Sequence, residues 1–427
     1  MLSRVLPLGG RTVLVTRVNG RQYGHMGLEI AMSLARAREL SSDVCFVRPK
    51  EVVAEALFEV DTDAVRIRRD LVTGAAARVS WWWDDRRAAT AATRRLWAQA
   101  SRRELMHHLE SKFDAARQGK NKELQFMIKT RIGGLKRGIG ANTVVAEDMP
   151  LYYQRRTLRS RVPVHLTARA AAQVRAAAAR AGVDLDAPMV TLHVREAGWK
   201  SGREMHESKP DARNDSVRNA RIETYFDAMQ YLVDRGFAVV RIGDPSMTPV
   251  RRRGVVDLAT AANRSQLLEV DCLMRSAFFI SAEAGPVGVS YLTNTPLLTV
   301  NATDPVSSYP IRDDGMYILK RIIDRQTGRP LTISELFSES YLRDLRNITR
   351  YSYIDNTSDE ITQAVAEMLA WVRGDRTESE EQVRFRDMAA ERGESLRAAL
   401  TYVRKWGSDR GFIGDGRFCR FFVAGAE

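Results

Sequence analysis

Residues 189–195 read MVTLHVR and residues 237–244 read FAVVRIGD. Each is a short apolar run, rich in β-branched residues, that ends on charged or polar groups. That is the pattern of a strand covered on both faces in a parallel sheet. Between them, residues 222–235 repeat their apolar positions at helical spacing and stop at Gly236. Strand, helix and strand in that order make a crossover unit, whose two strands run parallel. The alternation continues outward through a short strand at 255–258, a helix at 265–274, a strand at 278–281, a helix at 286–292 and a strand at 297–300. An α/β domain is therefore predicted over 184–356.

The first half carries a second pattern of this kind. Residues 12–18 (TVLVTRV) predict a strand, 22–27 (QYGHMG) a loop, 28–40 a helix, 44–47 a strand, 52–57 a short helix and 65–67 a further strand. This places a second Rossmann-like domain over 1–75, completed by part of the tail. Residues 76–183 form a basic helical insertion, with one long helix over 86–132. Gly133, Gly134, Gly138 and Gly140 interrupt it, and an alanine-rich helix at 168–181 is capped by Gly182. Residues 357–427 read as a polar, largely helical tail.

The 427 residues are 44% hydrophobic and 28% charged, a balance that excludes disordered, collagen-like and coiled-coil chains. No run of about 18 apolar residues exists to span a membrane. The first ten residues are too short and too rich in Gly and Pro for a secretory signal. Cys45, Cys272 and Cys419 are few, scattered and odd in number, so neither a disulfide framework nor a paired zinc motif is expected. These features predict a cytoplasmic protein. The net charge is +13, and 18 Lys/Arg against 6 Asp/Glu lie between Arg86 and Arg161. Beside Trp81, Trp82 and Trp83, that segment suits an anionic membrane surface or a phosphorylated lipid. A solvated helical face is the plainer alternative. No motif supports a nucleic-acid partner.

Ligands of open parallel sheets bind outside the C-terminal strand ends. Four such ends are polar: His193 and Arg195; Arg241 and Asp244; Ser281, Glu283 and Gly285; and Asn301. An arginine at a strand mouth grips a phosphate through two parallel hydrogen bonds. A helix starting at Pro286 adds a favourable dipole. Taken singly, each has another reading: Arg195 as an ion-pair partner, His193 as a core histidine, Gly243-Asp244-Pro245 as a turn, Glu283 as a helix cap. Their common edge argues for function. In the first half, Gly24 and Gly27 allow close backbone approach to a ligand, and His25 between them suits a general base or a hydrogen-bond donor to phosphate. A plain strand-to-helix turn is the alternative.

The runs VTLHVR (190–195), Arg221-Ile222-Glu223-Thr224-Tyr225, VVRIGD (239–244), Asp257-Leu258-Ala259 and TPLLTVN (295–301) resemble a family of bacterial glycosyltransferases linked to surface-carbohydrate gene clusters. The His-x-Arg strand is similar to that of α1,6- and protein-O-fucosyltransferases, in which the matching arginine engages the GDP-fucose diphosphate. The resemblance covers about residues 185–305, with a weaker echo at 24–29. It implies a GT-B architecture, two Rossmann-like parallel-sheet domains facing across a cleft. The second would hold a nucleotide-sugar donor and the first a glycan or lipid-linked acceptor. It further implies His25 and Glu283 as catalytic residues and no obligatory metal or cofactor. His193, Arg195, Arg241, Asp244, Ser281, Gly285 and Asn301 would be donor contacts, and Gly24 and Gly27 the acceptor-side loop. Where the family has a Ser/Thr-Gly-rich loop, this chain has Ser281-Ala282-Glu283-Ala284-Gly285, which gives Glu283 more weight. Asp61-Thr62-Asp63 has a metal-motif form but lies in the first half and reads as a turn. An epimerase of the same architecture and a non-catalytic sugar-nucleotide or polyanion binder are the competing functions.

Overall fold

The computed structural model describes residues 2–8, 11–18, 20, 22–49, 52–70, 113–114, 117, 155–197, 214–399 and 413–424. Trp81–Trp83, the helix expected over 86–132 and the glycines of 133–140 lie outside the described residues, apart from 113–114 and 117. Two compact units emerge. The first comprises Met1–Val18, Arg36–Lys50 and Ala64–Pro150, and the second Asn19–Ala35, Glu51–Asp63 and Leu151–Glu427. These units cut across the expected boundaries: 19–35, 51–63 and the tail all belong to the second.

In the first unit, β1 (Leu2–Leu8), β2 (Arg11–Arg17) and β3 (Asp43–Val47) form a sheet in that order. β2 and β3 are parallel, as expected, but β1 pairs antiparallel with β2. β1 is an addition to the pattern expected from the sequence. The chain then enters α1 (Tyr23–Glu39), which starts well before the expected residue 28. Residues 23–27 are thus the helix's first turns, not a loop.

The second unit is built on a seven-stranded, wholly parallel sheet. A small antiparallel ribbon, β4 (Val60–Asp61) with β5 (His165–Leu166), precedes it. Asp61 ends this ribbon, its carboxylate accepting from the N–H of Thr62 at 3.0 Å. The main sheet comprises β6 (Met189–His193), β7 (Ala238–Arg241), β8 (Val255–Asp257), β9 (Phe279–Ser281), β10 (Leu297–Ala302), β11 (Gly315–Leu319) and, beyond the antiparallel pair β12 (Arg321–Asp324) and β13 (Tyr351–Ile354), β14 (Arg417–Phe418). Its order is β14-β11-β10-β9-β6-β7-β8, so the chain reverses direction of travel between β6 and β9. That is the topological switch point where such sheets open a crevice.

Side-chain alternation assigns the two faces of β6. Val190, Leu192 and Val194 enter the core formed with α3 (Phe226–Val233) and α6 (Ser358–Val372). Thr191 faces the other way and donates to the carbonyl of Cys272 on α4 (Gln266–Arg275) at 3.2 Å. Polar helix ends are satisfied locally. Ser265 caps α4, Thr357 and Glu360 form a capping box on α6, and Gly182, at φ 68°, closes α2 (Ala168–Ala181) as expected. Among the described residues no helix is long and apolar enough to cross a membrane.

Candidate active site

At the C-terminal edge of the sheet the second unit encloses a cavity of about 1060 Å³. His193, Arg195, Asp244, Glu283 and Gly285 line it from the strand ends, and Gly24 and His25 from the start of α1. Seven of the expected residues are therefore brought together.

Glycine makes that meeting possible. A Cβ on Gly24 would lie 2.3 Å from the carbonyl oxygen of Gly285, and one on Gly288 would lie 2.1 Å from that of Gly24. Gly27 likewise meets Val289, so α1 and α5 (Pro286–Thr293) cross backbone to backbone. Gly24 and Gly27 were expected to admit a ligand. What they admit is another helix, and Gly27 does not line the cavity.

Three further expected contacts do not line it either. Arg241 is fully buried. Its Nη2 donates to Glu196 at 2.6 Å, and its Nη1 to Asp257 at 3.0 Å and to the carbonyl of Thr248 at 2.6 Å. It braces the loops after β6 and β7 against the end of β8. Ser281 donates to the carbonyl of Ala282 at 2.7 Å. Asn301, in the left-handed region at φ 57°, exchanges hydrogen bonds with the backbone and side chain of Asn356. It joins β10 to the start of α6.

Arg195 is half-buried, and its Nε donates to Asn219 at 3.1 Å. Among the described residues it has no carboxylate within ion-pair distance. Burial and then repulsion from Arg218 lower its pKa to about 10, so it stays charged at neutral pH. Arg218, in the 3-10 turn Asp215–Arg218, donates to the backbone carbonyl of Glu283 through Nε at 3.1 Å and Nη2 at 2.8 Å. Glu283 also pairs with Arg346 and accepts from the Thr303 N–H at 2.9 Å and hydroxyl at 2.7 Å. Arg346 in turn reaches Asp215 at 3.2 Å. Burial opposes the charge on Glu283, but Arg346, Arg218 and Thr303 outweigh it, and the carboxyl falls below its ordinary range. Expected to be catalytic, Glu283 instead holds two arginines in place.

The two histidines are neutral. Burial lowers His25 to about 4. Burial, then Arg241 and Arg195, lowers His193 to about 3, and its Nδ1 is buried without a partner. Glu269, in the first turn of α4, also lines the cavity; it pairs with Arg264 at 2.6 Å, and burial raises its pKa to about 6.

Arg218, Arg346, Asp215 and Glu269 were not anticipated. Arg218 sits three residues before the quoted run at 221–225, a signal that was available. Nothing in the sequence ties Arg346 to a strand end more than 60 residues away.

No family model matches the chain, and no curated protein does. Among solved structures, it is similar to the ADP-heptose lipopolysaccharide heptosyltransferase II of E. coli, at 13% identity over 84% of this chain and 99% of that one, with a TM-score of 0.41. It is also similar to the iron-containing dodecameric glycosyltransferase TibC of enterotoxigenic E. coli, at 10% identity, 86% and 77% coverage and a TM-score of 0.34. The α-1,6-fucosyltransferase NodZ shares 11% identity over 67% of this chain and 93% of its own, with a TM-score of 0.29. Likeness at this level leaves function to be argued from the site.

Proposed function

We propose that the chain is a glycosyltransferase of GT-B type that moves a sugar from a nucleotide-sugar donor to a surface glycan or lipid-linked acceptor. The observation that carries this reading is the guanidinium cluster at the switch point. Among the described residues Arg195 has no carboxylate within ion-pair distance, and Arg218 is fixed beside it by Glu283. Two oriented guanidiniums next to the N-terminus of α5 suit a diphosphate, whose charge grows as it departs.

In the reaction the acceptor hydroxyl attacks the anomeric carbon. The bond from that carbon to the diphosphate oxygen breaks, and the electron pair leaves with the diphosphate toward Arg195 and Arg218. His25, which lines the cavity, is proposed to take the acceptor proton as the diphosphate departs. Glu283 acts through the arginines as a positioning residue. With charge compensation supplied by arginine and a helix N-terminus, the transfer is proposed to need no metal or cofactor. The enzyme is placed in the cytoplasm, with the segment 86–161 holding it at an anionic membrane face.

A binder without turnover is the second reading, favoured by the engagement of Glu283 with arginines. A thermal-shift screen of UDP-, GDP-, ADP-, CMP- and dTDP-sugars identifies the donor, since ligand at 100 times its Kd stabilises by about 2.7 kcal/mol. Transfer is then followed in excess EDTA. His25→Gln should abolish turnover and leave donor affinity unchanged. If wild type binds a donor but shows no transfer or donor hydrolysis, the binder reading replaces this one. Activity lost in EDTA and restored by magnesium overturns the metal-free proposal.

A further inference from the structure

The lining of the cavity changes character along the sheet edge. At β7 it carries Ile242 and Met247 beside Asp244; at β6 and β9 it carries Arg195 and Arg218, with Asp215 and Glu283 between them. At β10 it becomes hydroxylic. Thr299 lines the cavity from β10, and the loop leaving that strand brings Ser308 to the same cavity. Thr299 is 2% exposed. The hydroxyls of Thr299 and Ser308 are both buried, and neither has a hydrogen-bond partner in the protein. Buried hydroxyls are nearly always paired, because an unpaired one forfeits its hydration. Two on residues that line one cavity are most economically explained by ligand groups that complete them.

Register places them relative to the cations. His193 pairs with Ser281, and Ser281 with Thr299, so Thr299 lies two strands from the strand that leads to Arg195. Two strand spacings are about 10 Å. A diphosphate and the sugar ring attached to it span that distance together. Extended along the edge, a nucleotide sugar would place its base over Ile242 and Met247, its diphosphate at the arginines and its glycosyl ring at β10.

We propose that Thr299 and Ser308 form a subsite for the hydroxyl groups of the transferred sugar. The assignment rests on the nucleotide-sugar reading and adds to it the orientation of the donor. The two hydroxyls recognise the glycosyl group, not the diphosphate.

The test uses isothermal titration of the full chain with matched pairs: UDP and UDP-glucose, GDP and GDP-mannose, ADP and ADP-glucose, dTDP and dTDP-glucose. Thr299→Val keeps the shape and removes the hydroxyl, a change that a buried, unpaired position accepts without loss of stability. For the pair that binds, Thr299→Val should raise the Kd of the sugar nucleotide about five- to tenfold, the worth of one hydrogen bond, and leave that of the free diphosphate within about twofold. Ser308→Ala should act in the same direction. Unchanged sugar-nucleotide affinity in both variants overturns the proposal, as does an equal loss for the diphosphate. If wild type binds none of the four diphosphates, the nucleoside-diphosphate reading itself fails and the subsite falls with it.

Discussion

Acidification should destabilise this protein through His193, and the size of the effect follows from its surroundings. The imidazole is 6% exposed and lies near the guanidiniums of Arg241 and Arg195. Its folded pKa is about 3, against 6.5 for the free side chain. As pH falls below 6.5 the unfolded chain takes up this proton and the folded chain does not, so stability falls with pH. The loss continues until the pH passes below the folded value. Between pH 7 and 5 the unfolded state gains about 2 kcal/mol from this site, at 1.36 kcal/mol per pH unit over the window in which only it is protonated. His193→Gln keeps a neutral polar side chain and removes the titration. Urea unfolding at pH 7 and pH 5 separates this contribution from the carboxylates, which titrate in both proteins. With an m-value of about 3 kcal/mol/M, the wild-type midpoint should fall by about 0.6 M more than that of the variant. Equal pH dependence in the two proteins would refute the placement of a neutral histidine between these arginines.

Three other outcomes are expected. Arg195→Ala should lower kcat/KM by the equivalent of about 2 to 4 kcal/mol, and Arg195→Lys should recover little of it, because an ammonium cannot reproduce the fork; wild-type turnover in Arg195→Ala sinks the clamp. Gly288→Ala places a Cβ 2.1 Å from the carbonyl oxygen of Gly24, a backbone atom that cannot rotate away. It should cost about 2 kcal/mol or more in stability and impair donor binding, whereas Gly328→Asn, at an open left-handed position, should be nearly neutral. Finally, the surplus of Lys and Arg over 86–161 should bind phosphatidylglycerol vesicles at low salt and release them at high salt, with little binding to phosphatidylcholine; equal, negligible co-sedimentation with both lipids leaves a solvated basic face.

Much of the second unit was legible because its strands are short, β-branched and separated by helices of ordinary length. Periodicity alone located β6 to β10 and the helices between them. It also found the strand ends, since polar residues that follow a buried apolar run must lie at a sheet edge. The strands added late, β11 and β14, were not found. β14 is only two residues long, and its partner is about 100 residues earlier in the chain, so no local pattern announces it. The N-terminal β1 was not found either; it contains Pro7, which an edge strand tolerates.

Which polar residues face the cavity and which brace it was a different matter. Arg195 and Arg241 look alike in sequence, each at the end of an apolar strand. They differ because Glu196 and Asp257 converge on Arg241, while among the described residues Arg195 is given Asn219 and no carboxylate. Glu283 reads in sequence as a catalytic residue or a helix cap, and the structure closes Arg218 and Arg346 on it. Gly24 looked like a ligand loop until α5 proved to be the partner. Sequence determined β6 to β10, the helices between them and the edge at which chemistry could occur, because these depend on neighbours a few residues apart. The roles at that edge depend on charges and backbones brought together from as many as 264 residues apart, as with Gly24 and Gly288, and only the tertiary structure decided them.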